Sequence, residues 1–543
     1  MNEQPLKSFS TRLLTPLRGH ILAVVFAFVT GAVIVGPQIA FIVNEGEHYQ
    51  GVYMLAISDE AHYLASMKQL YDDGKIGNPY LYEYKYYGPQ FWSSGGETLL
   101  AAPGKWLGIS VPTINLVYKF LLPALEFLLV YALVFRLSRS RSWSMAGALM
   151  VFMGLAYLDG ENFRHLIYAD EYFRTHFLFA GRPVQPQLSQ LLFFLYLHGL
   201  LNIHEGKSYR WFFLLAIILA FSFYSYFFSF TFILALNAVF VVMWYLSGKR
   251  RSAWGLGLAT LAASVAGIPP LWEIYAAIHF PDYAQVAENG VGVGLQHRPI
   301  LHRPWLFVTA LFGIYVYATK AWRVVNLRRT HILFIFGLLA TAIAVLNQQV
   351  LSGVVIQYYH YIWYFNQPVF AVVLAFLGAA LFAALSARNP RLQKLFRFVP
   401  WVVALVFIAT GILTQYSAYR HYAPIVHEDQ RYGIAFQWLM ENTPKDSVVM
   451  ANQYLSELIP IYTENNVVWN SVHILTSYFV PPERVKFTPE NLLAAPDFLA
   501  ASRAYRLDYV LWDTKKDPDW KIDRLSLPLL YSGDGFDIYG VPK

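Results

Sequence analysis

Apolar runs of roughly twenty residues recur along most of this chain, each long enough to cross a lipid bilayer. They lie near residues 20–44, 110–135, 142–159, 185–204, 210–227, 229–247, 254–279, 304–321, 330–350, 368–387 and 398–418, and predict about eleven transmembrane helices. The connections between them alternate in character. One set is short and basic: the N-terminus with Lys7, Arg12 and Arg18, then Arg136/Arg139/Arg141, Lys207/Arg210, Lys249/Arg250/Arg251, Lys320/Arg323/Arg328/Arg329 and Arg388/Arg391/Lys394/Arg397. The other set is longer, mixed in charge and aromatic. Short Lys/Arg-rich loops stay on the cytoplasmic side, so the N-terminus is expected inside and the C-terminus outside.

Three stretches then belong to the outer side: loops at about 45–109 and 160–184, and the tail from about Tyr422. The tail changes period. Ile434, Phe436, Trp438 and Leu439 follow a helical spacing that Asn442-Thr443-Pro444 ends. Ser447–Ala451, "NVVWN" and "LDYVLWD" predict strands, and "LLYSGDGFDIYGV" a hairpin turning at Gly533-Asp534-Gly535. The expected architecture is a polytopic α-helical membrane domain over 1–421 followed by a non-cytoplasmic α/β domain over 422–543, large enough to hold its own core.

Composition supports this class. Of 543 residues 56% are hydrophobic and 14% charged, against about 25% charged in soluble chains. The net charge of +7 resides largely in the connections that orient helices, so no nucleic-acid partner is implied. The absence of cysteine excludes disulfides, thiol chemistry and cysteine-ligated metals. No Asn-x-Ser/Thr sequon occurs, which favours a bacterial inner (plasma) membrane. The apolar run after the basic start continues through Pro37 to about Val43 without an A-x-A site, as an uncleaved first span does.

Candidate chemistry begins at "SDEAHYL", Ser58–Leu64, just beyond the first span. Locally, Ser58 suits a helix N-cap, and Asp59 and Glu60 suit the first turn of a helix through its dipole. The stretch is also similar to the Asp-Glu stretch of the GT-C glycosyltransferases, among them the protein O-mannosyltransferases, the lipid A aminoarabinose transferase and the oligosaccharyltransferase catalytic subunit. The resemblance covers the layout of the whole chain but few motif residues. It implies a polyprenyl-phosphate-linked sugar donor, Asp59 as catalytic base and Glu60 as its neighbour. A sugar on a lipid phosphate already has a good leaving group. What remains necessary is a carboxylate to take the acceptor's proton and positive charge to hold the departing phosphate.

The second outer loop offers two more candidates. Asp159-x-Glu161 resembles the Asp-x-Asp/Glu motif of oligosaccharyltransferases, which implies Mg²⁺ or Mn²⁺ held together with Asp59; by themselves the residues serve equally as a solvated turn on Gly160. Arg182, before Pro183, is placed either to clamp phosphate bidentately or to snorkel at the interface. In "LNQQVLSGVVIQYYHYIWYFNQP", Asn347, Gln348 and Gln349 close an apolar span, and Gln357 and His360 are three apart, on one helical face. Polar groups at membrane depth line cavities or meet partners, so Gln348, Gln357 and His360 are candidate donor-pocket residues in a partly re-entrant segment; an aromatic interface belt around a satisfied histidine is the competing reading. Lys119 and Glu126, seven apart, are expected to pair with each other or with Glu273. "ENGVGVGLQHRPILHRP" carries no nucleotide fingerprint and is expected to be a mobile outer loop.

The expected activity is inverting transfer of a sugar from a polyprenyl-phosphate donor to a hydroxyl of a lipid, glycan or protein acceptor. The rivals are an O-antigen ligase or polymerase, a transporter or lipid flippase, which calls for inverted repeats, and a noncatalytic scaffold. The topology has a direct check. Single cysteines introduced at Ser252 and Ser532 are expected to be labelled from the inside and from the outside respectively; labelling of both from one side would contradict the charge rule here.

Overall fold

The computed structural model describes residues 19–55, 58–281, 283–291, 293–322, 329–388, 394 and 396–543. The basic positions Lys7, Arg12, Arg18, Arg323, Arg328 and Arg391 lie outside them. Every predicted apolar run is helical: Ile21–Glu45, Val111–Ser138, Arg141–Met153, Gln187–His204, Arg210–Ser225, Phe227–Leu246, Arg250–Ala266 with Ile268–Ile278, Arg303–Trp322, Arg329–Leu346, Gln367–Arg388 and Val399–Asp429. Among the described residues, six helical stretches are long and apolar enough to cross a membrane, and seven if the bent pair Arg250–Ala266 and Ile268–Ile278 counts as one. That pair bends by 59° at Gly267, where Pro269 and Pro270 follow and remove two backbone donors from the helical ladder. Arg141–Met153 and Arg210–Ser225, at 13 and 16 residues, fall short of the roughly 20 a span requires.

The first and second spans, Ile21–Glu45 and Val111–Ser138, lie side by side at Gly31. A Cβ there would stand 2.5 Å from the Phe120 carbonyl oxygen, so only glycine permits this approach. The helix Val399–Asp429 runs 31 residues, well past the expected end at 418. At about 1.5 Å per residue its final turns extend beyond a bilayer core and carry the C-terminal region. The loop near 288–304, expected to be mobile, instead holds a strand, β1 (Val293–Leu295), that pairs antiparallel with β2 (Val354–Ile356), the stretch expected to be re-entrant.

The C-terminal region begins with helix Arg431–Asn442 and holds a five-stranded sheet in the order β4-β3-β5-β7-β6. β3 (Val448–Met450) runs parallel to β4 (Asn466–Val467) and to β5 (Leu507–Asp513). β7 (Phe536–Gly540) runs antiparallel to both β5 and β6 (Leu529–Gly533). The predicted strands and hairpin are all present, and Asp534 and Gly535 both take positive φ in the turn (55° and 83°), as a two-residue hairpin of favourable twist requires.

The core of this sheet is continuous with the loop between the first two long helices. Tyr53, Leu64, Tyr80 and Leu81 of the loop pack in one buried cluster with Tyr432, Phe436, Val449 and Leu511. Polar contacts follow the same seam. Gln430 Oε1 accepts from the Gln50 backbone N–H (3.0 Å), and its Nε2 donates to the Val52 carbonyl (2.8 Å). Lys85 bridges Asp73 and Asp446 at 2.7 and 2.5 Å. The closest approach is at Gly433, where a Cβ would stand 2.1 Å from the Gln50 carbonyl oxygen. Gly433→Ala is therefore expected to force the helix off the loop and lower stability by about 1–3 kcal/mol, read as a lower Tm in detergent; an unchanged Tm would show that the seam yields freely.

Candidate active site

Helix Ser58–Asp73 lies in the loop between the first two long helices; the side chain of Ser58, the expected N-cap, lies outside the described residues. Successive helical side chains diverge by about 100°, and here that separates two carboxylates completely. Glu60 is fully buried and accepts from the Tyr53 hydroxyl (2.8 Å), Asn115 Nδ2 (2.8 Å) and Lys119 Nζ (2.7 Å). Lys119, itself fully buried, thus pairs with Glu60 and not with Glu126 or Glu273. The sequence spacing suggested those partners because it carries no record of helix Ser58–Asp73 laid across the second long helix. Glu60 is accordingly a structural anion without access to a substrate, which corrects its expected place beside the reacting atoms. Among the described residues Glu126 Oε1 is buried without a hydrogen-bond partner, and Glu273 receives a long contact from the Gln90 backbone N–H (3.4 Å).

Asp59 points the other way, with 48% of its side chain exposed. Its Oδ2 receives a short hydrogen bond from Arg182 Nη2. Arg182 is well buried: Nη1 donates to the Tyr364 hydroxyl (2.8 Å), and the guanidinium lies 5.8 Å from the Tyr63 ring centroid. Gln190 Nε2 donates to the Tyr364 carbonyl (2.9 Å). His360 joins through aromatic contacts, stacked on Tyr364 at 5.1 Å and bonded through Nδ1 to the Tyr226 hydroxyl at 3.0 Å. Asp59, Arg182 and His360, more than a hundred residues apart in sequence, form one neighbourhood.

Gln348 and Gln357 do not join it. Gln348 Nε2 donates to the Val354 carbonyl (2.7 Å) and its Oε1 accepts from Ser352 (2.7 Å), closing the turn into β2. Gln357 takes a left-handed conformation (φ 32°) ahead of helix Tyr359–Tyr361, so it shares no helical face with His360. Asp159 Oδ1 accepts from the backbone N–H groups of Glu161 (2.9 Å) and Asn162 (3.3 Å), which makes it the N-cap of helix Gly160–Tyr168. Among the described residues no group of three or more His, Cys, Asp or Glu side chains is gathered to hold a metal ion. The expected Asp59–Asp159–Glu161 metal set is therefore absent from the arrangement.

A cavity of about 340 Å³ opens beside Arg182, walled by apolar residues such as Phe152, Leu155, Phe179 and Trp363 and reaching Thr410 and Thr414 on the last span. Two buried N–H groups of its lining residues, Arg182 Nε and Gln367 Nε2, have no partner among the described residues. An apolar hollow with unspent donors suits a ligand that is anionic at one end and greasy at the other.

Sequence reading missed His62 and Tyr63, although both lie one turn beyond Asp59 and so on its side of the helix. Burial pushes the His62 imidazole down to about 4, against a partial opposing pull from Asp59, so it is neutral near pH 7. Tyr226, expected to serve packing more than sugar stacking, bonds His360 here, and nothing local in the sequence distinguishes Tyr364 from the surrounding aromatics.

No family model and no curated protein sequence matches this chain. Among solved structures it is similar to ArnT from Cupriavidus metallidurans bound to undecaprenyl phosphate, with a TM-score of 0.55 and 12% identity over 97% of this chain and 98% of that one. The apo form of the same protein gives 0.54 and 13% over the same shares. The oligosaccharyltransferase of Archaeoglobus fulgidus tethered to an acceptor peptide gives 0.48 and 14%, over 96% of this chain and 74% of that one. The chain has the fold of ArnT from end to end, in keeping with its resemblance to GT-C membrane enzymes.

The role assigned to Glu60 has a specific consequence. Glu60→Gln leaves Lys119 buried without a counter-charge, and removal of one partner from a buried pair costs about 3–5 kcal/mol. A strongly lowered Tm is expected; a variant that melts with the wild type would contradict the anchoring role.

Proposed function

We propose that the protein is a GT-C-type glycosyltransferase that moves a sugar from a polyprenyl-phosphate donor to a hydroxyl of a lipid, glycan or protein acceptor. One observation carries the reading: the Asp59–Arg182 pair at an apolar cavity with unspent N–H donors. The fold shared with a protein solved with undecaprenyl phosphate supports it. The site then lies on the outer side of a bacterial inner membrane, with residues 422–543 forming an α/β domain on that side.

In this reading the lipid chain occupies the cavity and its phosphate takes the guanidinium of Arg182, whose planar fork matches phosphate bidentately. That exchange releases Asp59 from its ion pair at the moment the donor is seated. The acceptor oxygen attacks the anomeric carbon on the face opposite the phosphate. The bond from that carbon to the phosphate oxygen breaks with its electron pair going to the phosphate, and the hydroxyl proton passes to Asp59. A single displacement inverts the anomeric centre. Arg182 and the Tyr364 hydroxyl meet the growing negative charge. Among the described residues no three carboxylate or imidazole side chains gather to hold a divalent ion, and no step is routed through one.

The test separates chemistry from binding in purified protein reconstituted in liposomes. Asp59→Asn is expected to lower transfer from undecaprenyl-phosphate-linked sugars by at least about a hundredfold while undecaprenyl phosphate still binds. Its stability cost should lie below the roughly 3–5 kcal/mol of a fully buried pair, because Asp59 is half exposed although Arg182 is not. Arg182→Ala is expected to lose lipid-phosphate binding itself. Near wild-type transfer by Asp59→Asn would remove the base assignment.

A further inference from the structure

Glu97 stands in the first turn of helix Gly95–Leu107, an element with no part in the site so far described. That turn is pressed into the site's wall. A Cβ on Gly95 would stand 2.4 Å from the Tyr224 carbonyl oxygen, and one on Gly96 3.2 Å from Ser225 Oγ and 3.3 Å from Gln185 Nε2. Gln185 follows Arg182 by three residues, and Ser225 precedes Tyr226, which bonds His360. The charge of Glu97 is felt at the Tyr63 hydroxyl, which also feels Asp59 and Arg182, and at Tyr478 of the C-terminal region. Glu97 Oε2 is buried and has no hydrogen-bond partner among the described residues.

A glutamate at this position commonly closes a capping box by bonding back to the N-cap backbone N–H. Here one carboxylate oxygen turns to the backbone N–H of Glu97 itself, and Oε2 is left without a partner among the described residues. An orphaned carboxylate oxygen is costly unless something brings it a donor. The sugar of a lipid-phosphate donor is attached to the phosphate itself, so with phosphate on Arg182 the sugar lies within about one ring's width of it, beside Tyr63. Resting on the proposed function, we infer that Glu97 binds a hydroxyl of the transferred sugar and thereby sets which sugars the enzyme accepts. It is a recognition residue, and Asp59 keeps the proton transfer.

Burial raises the Glu97 carboxyl to about 7. The groups that feel its charge, Tyr63 and Tyr478, are pushed up by burial and stay neutral in that range, and His62 lies far below it. As pH rises through 7 the carboxyl becomes an anionic acceptor, which holds a hydroxyl more strongly than its neutral form.

The experiment compares Kd for bare undecaprenyl phosphate with Kd for its glucosyl, mannosyl, galactosyl and arabinosyl esters, on the full chain in nanodiscs between pH 6 and pH 8. The wild type is expected to prefer at least one glycosylated lipid over the bare one by about ten- to a hundredfold, the span of a hydrogen bond to a charged group. That preference should grow with pH. Glu97→Ala is expected to abolish it while leaving the Kd for bare lipid unchanged. Glu97→Gln should keep part of it without the pH slope; any slope from titration of the bare phosphate persists in the variant and is subtracted. A wild-type preference that survives Glu97→Ala, or no preference for any sugar, would overturn the inference. Failure of the wild type to bind even the bare lipid would instead overturn the proposed function on which it rests.

Discussion

Glu60 and Lys119 are both fully buried, and each depends on the other: neither charge could remain in that interior alone. Because Lys119 belongs to helix Val111–Ser138 and Glu60 to helix Ser58–Asp73, their pairing pins the first loop to the apolar helices at one point. Tyr53 and Asn115 complete the acceptor's shell, so the carboxylate is held from several directions. The helix cannot roll about its axis without exposing that pair to apolar surroundings. Its orientation therefore determines that Asp59, the adjacent residue, faces outward toward Arg182. The proposed chemistry depends on a residue that takes no part in it.

Arg182 shows the same logic on the other side of the site. A guanidinium enclosed among Tyr63, Tyr364 and apolar walls is held by one carboxylate and one hydroxyl, with Nε left over. The aromatic layer of Tyr226, His360 and Tyr364 keeps Tyr364 in place, and Gln190 holds its carbonyl. Among the described residues its Nε has no partner, and in the proposed function a phosphate would supply one. The cavity beside it supplies room for a lipid, so polar and apolar requirements meet at one residue.

The C-terminal region is more than an appended module. Its sheet shares one core with the loop between the first two long helices, and Gln430, Gly433 and Lys85 tie the two along a single seam. Tyr478 reaches from this region to within 3.4 Å of His62 Nε2. One side of the site is thus built by the loop and the C-terminal region together, and the long helix Val399–Asp429 delivers one to the other.

Much of this architecture follows from the sequence because it rests on local periodicity. Apolar runs, basic connections, β5 at "LDYVLWD" and the Gly533–Gly535 turn are properties of short windows, and a bilayer or a sheet imposes their period directly. Asp59 was legible for its type and place, and Arg182 and His360 as polar groups that apolar surroundings tolerate only with partners. The pairings were not legible. Lys119 was matched to Glu126 by spacing, whereas its partner lies 59 residues away on another helix; Asp159 looked like a metal ligand and is a cap. Gln348 and Gln357 had the right polarity but the wrong turn. Glu97 went unnoticed because nothing around it in the chain marks it, and only the fold leaves its oxygen enclosed and unspent. Sequence determines which groups must be satisfied; tertiary structure decides by whom, because a buried charge or donor is matched across space by whatever the packing brings within about 3 Å.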